Sequence, residues 1–108
     1  MSGEMKESIA SRVLRCELAG KSEEVTVRFG VPRQEDDYFT CEYEISIAGE
    51  IEAYQIIGSD SVHALQLAMF MAGSALRSIP GATGWSWNGE PYIGLPASLD
   101  EPILGLRH

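Results

Sequence analysis

Groups that carry metal or covalent chemistry are scarce in this chain. Its only cysteines are Cys16 and Cys41, and its only histidines are His63 and His108. A tetrahedral zinc centre needs three or four converging Cys or His ligands. Neither cysteine belongs to a Cys-x-x-Cys pair, and both fit the buried rows of strands, so reduced thiols, no metal site and no cofactor are expected. No apolar run approaches the roughly 20 residues of a membrane-spanning helix. The opening "MSGEMKESIASR" lacks the apolar centre of a signal peptide, so a cytoplasmic protein without membrane contact is expected. Basic residues are few as well. The net charge is −8, and no Lys or Arg occurs from Tyr38 to Leu76. Such a surface is repelled by phosphate backbones and anionic bilayers, which disfavours nucleic acid and permits a basic protein partner.

What is present is alternation. "RVLRCEL" sets Leu14, Cys16 and Leu18 against Val13, Arg15 and Glu17. "EVTVRF" sets Val25, Val27 and Phe29 against Thr26 and Arg28, and "FTCEYEISI" does the same with Phe39, Cys41, Tyr43, Ile45 and Ile47. A period of two residues predicts strands with one buried and one wet face. The expected buried row is Leu14, Leu18, Val25, Val27, Phe29, Cys41, Tyr43 and Ile45. "AGE" predicts a tight turn into a fourth strand, "IEAYQII", and "WSW" a short fifth one before the Asn88–Gly89 turn. "GVPRQEDD" reads as a loop.

"GSDSVHALQLAMFMAGSALRSIPG" predicts one long helix, capped by Ser59 or Asp60 and ending near Ser78, before Pro80 and Gly81. Val62, Leu65, Met69, Ala72 and Leu76 form the stripe expected to face the sheet. Leu67, Phe70 and Met71 remain outside it, a patch that a small domain rarely leaves bare. The apolar tail (Ile93, Leu95, Leu99, Ile103) is expected to cover part of it. A second copy of the chain is expected to cover the rest, with Leu67, Phe70 and Met71 at a homodimer interface.

Candidate chemistry is thin. Asp60, Ser61 and His63 at the helix start, with Trp85 and Trp87 as an aromatic wall, form the one constellation that could hold a ligand. Capping explains the first group and half-buried packing the second. No activated nucleophile motif such as Gly-x-Ser-x-Gly is present, and no catalytic residue is assigned. Glu35, Asp36 and Asp37 read as a solvated turn. Arg15 and Arg28, with Glu42, Glu44 and Glu52, are expected on the wet face of the sheet. There they either pair across strands or form an acidic recognition patch beside Tyr54 and Ile56.

Several motifs occur in a characteristic order. Val25, Val27, Phe29, Gly30 and Pro32 come first, then Cys41 and Tyr43. Gly58, Asp60, Ser61, Ala64, Leu65, Leu67 and Ala68 follow, then Trp87 with Gly89 and Gly94 with Pro96. This order resembles the DUF6968-like family of small bacterial proteins of unknown function, over about residues 12 to 97. The resemblance implies a small α+β domain and carries no catalytic residues.

One domain over residues 1–108 is therefore expected, with residues 1–10 flexible and 98–108 an extended tail. The fold is α+β: a four- to five-stranded, mainly antiparallel sheet with one long helix across one face. The function expected is a non-enzymatic protein-interaction or binding domain, suited to a basic partner. The alternative is a small enzyme or ligand-binding protein with its site around Asp60, Ser61 and His63.

Overall fold

Three two-residue turns organise the chain. Ala19–Gly20, Ala48–Gly49 and Asn88–Gly89 have φ values of 54° and 79°, 53° and 84°, and 53° and 80°. Two successive left-handed residues give the twist that brings antiparallel strands together. Asparagine tolerates this conformation, whereas alanine there costs about 1–2 kcal/mol.

The computed structural model describes residues 7–97. Strands β1 (Ser8–Leu18) and β2 (Lys21–Gly30) form the first hairpin, and β4 (Phe39–Ile47) and β5 (Glu50–Gly58) the second. Between them lies the two-residue strand β3 (Arg33–Gln34). Helix α1 (Ser61–Arg77) follows, then β6 (Thr83–Ser86). Every pairing is antiparallel. β5 runs along the whole of β4, whose other edge carries β2 and, beyond it, β3. β1 lies outside β2, and β6 outside β1. The α+β expectation holds, with six strands in the sheet. The additional strand is β3, placed by the sequence inside a loop. Strand β1 also starts earlier than its alternation indicated, so residues 8–10 belong to it. The expected tail, 98–108, lies outside the described residues.

The sheet's buried row matches the alternation. Leu14, Val25, Val27, Phe29, Cys41, Tyr43 and Ile45 are buried, Cys16 joins them, and Leu18 is half-buried. The helix covers this row with a stripe shifted from the one expected: Ala72 and Leu76 are shared, Ala64 and Ala68 are added, and Val62 is lost. Ala64, Ala68, Ala72 and Leu76 are fully buried, whereas Val62 is 62% exposed. Leu65 and Met69 pack at the flank. Ala64 and Ala68 take the centre of the contact in its first two turns, where Leu65 and Met69 were expected, because the helix is seated on its alanines.

Gly58 marks that seat. A Cβ on Gly58 would run into the Ala64 backbone, 2.6 Å from its Cα. The obstacle is main chain at the first turn of the helix, which cannot rotate aside. Gly58→Ala is therefore expected to cost about 1–3 kcal/mol, the range for overpacking. Ile45→Ala, which empties a buried site on β4, is expected to cost about 2–5 kcal/mol. Urea denaturation measures both; an unchanged midpoint for Gly58→Ala would refute the close seat.

Candidate functional site

The constellation at the helix start is engaged with its own backbone. Asp60 is the N-cap, and its Oδ1 accepts the His63 backbone N–H at 2.7 Å. His63 Nδ1 in turn accepts the Ser59 N–H at 2.9 Å. Ser61, the first helical residue, is exposed beside them. The first contact satisfies a donor that a helix N-terminus leaves free, and the second ties down the chain entering the cap.

Trp85 and Trp87 lie elsewhere. They sit on and just after β6, at the sheet edge opposite to β5 and the helix start. Trp85 is half-buried against the core. Trp87 lies under the Arg12 guanidinium, 3.8 Å from the ring centroid. Arg12 Nη1 also donates to Gly94 O at 2.7 Å and to Ile93 O at 3.3 Å. Gly94 has a left-handed φ of 79°, which favours glycine, and a Cβ there would stand 2.6 Å from Arg12 Nη1 and push the guanidinium off its place in the stack. The structure thus places the two halves of the expected ligand constellation on opposite edges. Trp87 anchors the segment after β6.

That segment covers one flank of the helix. Ile93 and Leu95 are buried. Arg77 Nη2 donates to Leu95 O at 3.0 Å, and a Cβ on Gly73 would lie 3.2 Å from Leu95 Cβ. Leu99 and Ile103 lie outside the described residues. Of the expected interface residues, Leu67 and Phe70 are half-buried and Met71 is 40% exposed. Leu67 and Met71 precede Ala75 at four-residue spacing, so all three share one flank.

The charged residues divide between two faces. Arg28 is directly opposite Glu44, with Nη1 to Oε1 at 3.6 Å, and Arg15 is opposite Glu24 at 4.0 Å. Glu44 is 2% exposed even though it lies on the side away from the helix. Glu52, Tyr54 and Ile56 do not share that side. They pair with Ile45, Tyr43 and Cys41, which points them to the helix side of the sheet. This corrects the expected wet-face patch: Glu42 and Glu44 stay on that face, and Glu52 belongs to a cleft on the other.

The cleft lies between the last turn of α1 and the β4–β5 hairpin, with a volume of about 350 Å³. Ile45, Ile47, Ala75, Ile79 and Pro80 give it an apolar floor, and Glu50, Glu52, Tyr54 and Ser78 complete its lining. Tyr54 Oη donates to Glu52 Oε1 at 2.8 Å, and the Tyr54 ring stacks on Tyr43 at 5.1 Å. The hydrogen bond to Glu52 pushes the Tyr54 hydroxyl pKa up, and burial does the same for Tyr43. No lysine or arginine lines the cleft. The carbonyl end of a helix carries partial negative charge. Arg77, the basic residue of the last turn, reaches instead for Leu95 O on the other flank. Sequence reasoning missed this cleft: the expected turn, Ala48–Glu50, is one residue longer than the observed Ala48–Gly49, which sets Tyr54 opposite Tyr43.

Among the described residues no cluster of His, Cys, Asp and Glu could hold a metal ion. Cys16 and Cys41 are free and buried, and burial raises both thiol pKa values. No helix among the described residues is long and apolar enough to cross a membrane.

A single helix on one face of an antiparallel sheet, with a flanking cleft, defines the class as a small α+β domain. The family model described as "Domain of unknown function (DUF6968)" matches residues 10–97, and the chain belongs to that family. No curated protein and no solved structure matches it.

Two measurements check the local chemistry. Asp60→Ala is expected to lower stability by about 0.5–2 kcal/mol through loss of the cap. Because the thiolate is the reactive form, both thiols should react slowly with a disulfide reagent in the folded protein. Both should appear as free thiols once it is denatured; an unreduced sample yielding none would contradict the free state.

Proposed function

We propose that this domain is a non-enzymatic binding module that takes a cationic side chain of a basic protein partner into the cleft beside the C-terminal end of α1. The observation that carries this reading is the combination within one cleft of about 350 Å³. The floor is apolar, Glu50 and Glu52 supply negative charge, and no cation opposes them. Lysine and arginine have the complementary form, an apolar stem ending in a charged head. The chain's acidity adds long-range attraction for such a partner, since the net charge is −8. Reduced, buried thiols fit a cytoplasmic setting, and the family resemblance a bacterial one.

The test is titration of the protein with a labelled deca-arginine peptide, and with deca-glutamate as a control. Only the basic peptide is expected to bind, with affinity falling as salt rises. The double variant Glu50→Gln/Glu52→Gln should weaken binding at least about tenfold, equivalent to about 1.4 kcal/mol. Glu17→Gln/Glu90→Gln changes the net charge equally, at exposed positions away from the cleft. If both double variants weaken binding to the same extent, general acidity and not the cleft is responsible, and the reading fails.

A further inference from the structure

Strand β5 is an open edge among the described residues, where it pairs only with β4. Its side chains are exposed from Glu50 to Gln55 and again at Ile57. An unpaired edge is a template for another strand, and chains that avoid this use proline, lysine, inward-pointing charges, bulges or very short edge strands. Of these β5 has only Glu50 and Glu52, both towards its turn end, and Ala53 to Ile57 are uncharged. It runs for nine residues without proline, lysine or arginine, in one-to-one register with β4 throughout. The opposite edge is different. β6 has four residues, contains Gly84 at φ 64°, and shifts register against β1.

We propose that β5 pairs with the β5 of a second copy of this chain, antiparallel, about a two-fold axis at Tyr54. The backbone is suitably disposed. A two-residue turn closes on a hydrogen-bonded pair, here Ile47 and Glu50. The alternation of an antiparallel ladder then turns the backbone groups of Ile51, Ala53, Gln55 and Ile57 outward. The side chains select the register. With the axis at Tyr54, Ile51 is opposite Ile57 of the second copy, Ala53 opposite Gln55, and Glu52 opposite Ile56. No like charges meet, and Ile51 and Ile57, exposed by 46% and 61%, become neighbours. Moving the axis to Ala53 or Gln55 leaves one of these isoleucines opposite a turn residue. The Tyr54 register also sets two Tyr54 rings side by side, extending the Tyr43–Tyr54 stack through the axis.

The helix supports the same arrangement. Ala75 borders the cleft with Tyr54, whereas Leu65 and Met69 border a groove with Ile9 and Phe29. The flank carrying Leu67, Met71 and Ala75 therefore faces the β5 side. A second copy across β5 brings its own Leu67 and Met71 towards it. Phe70 lies further round, away from the sheet, and is not part of this interface.

Sedimentation equilibrium of the full chain, from micromolar to millimolar, tests the pairing. The wild type is expected to approach twice the chain mass. Ala53→Pro removes an outward N–H without touching the β4 ladder, and Ile57→Lys places a charge on the edge. Each should weaken association roughly tenfold or more. Hydrogen exchange of the wild type covers the case in which a variant misfolds. The amides of Ile51, Ala53, Gln55 and Ile57 should be protected, and should lose protection on dilution. A wild type that stays monomeric at millimolar concentration overturns the proposal. So does a dimer that leaves these four amides unprotected and is dissociated by Phe70→Glu.

Discussion

The structure depends on how closely α1 sits on the sheet. Gly58 ends β5 against the backbone of Ala64, and Ala64, Ala68 and Ala72 carry the contact along the helix. Alanine adds little apolar area, so most of the core's bulk comes from the sheet row of Leu14, Val25, Val27, Phe29, Tyr43 and Ile45. Stability then requires that the flanks of the helix be filled from elsewhere. On the β1 side, Gly73 and Arg77 meet the segment that carries Ile93 and Leu95, and Leu65 and Met69 border a smaller groove with Leu95. On the β5 side, Ala75 and Ser78 are too small to fill the space above Ile45 and Ile47, and a cleft remains. The same small residues that allow the close seat create the opening.

The covered flank is held by two arginines, Arg77 on the Leu95 carbonyl and Arg12 on those of Ile93 and Gly94. Arg12 stands on β1, yet its guanidinium lies over Trp87 and binds two carbonyls of the returning segment. A planar group with several donors can stack and donate at once, which an ammonium cannot do. Trp87, Gly89 and Gly94, part of the family resemblance, are accounted for by this stack and the turn beside it. Gly58 and Asp60 are accounted for by the helix seat and its cap. These residues therefore report architecture, and none of them needs a reaction to explain its presence.

How far each element could be read from the sequence follows from its physics. Strand alternation maps directly onto two faces, so the buried rows of β1, β2 and β4 were legible residue by residue. The helix existed where its caps placed it. Its orientation was legible at Ala72 and Leu76 and misplaced at its start, because Val62 outweighs Ala64 and Ala68 in hydrophobicity, whereas the seat selects for size. The face of β5 was misread because Ile51, Tyr54, Ile56 and Ile57 do not alternate cleanly. The turn was also read one residue too long, as Ala48–Glu50, and a one-residue slip moves every side chain of the strand to the other face. The cleft was not legible, since its walls join a hairpin to a helix end some 30 positions away in the sequence.

β5 connects the two proposals, because its side chains and its backbone face different things. Glu50, Glu52 and Tyr54 line the cleft on the helix side, while the outward backbone groups of Ile51, Ala53, Gln55 and Ile57 form the edge. A two-fold axis normal to the sheet keeps each face on its own side. Pairing through β5 would therefore open both clefts on the same surface, one on either side of Tyr54. A basic segment with cationic side chains spaced to reach both would meet the second cleft at an effective concentration set by that spacing. Modest affinity at each cleft would then suffice. The separation of Tyr54 from its symmetry mate is fixed by strand pairing, so the partner's spacing, more than its total charge, would determine which basic segments are selected.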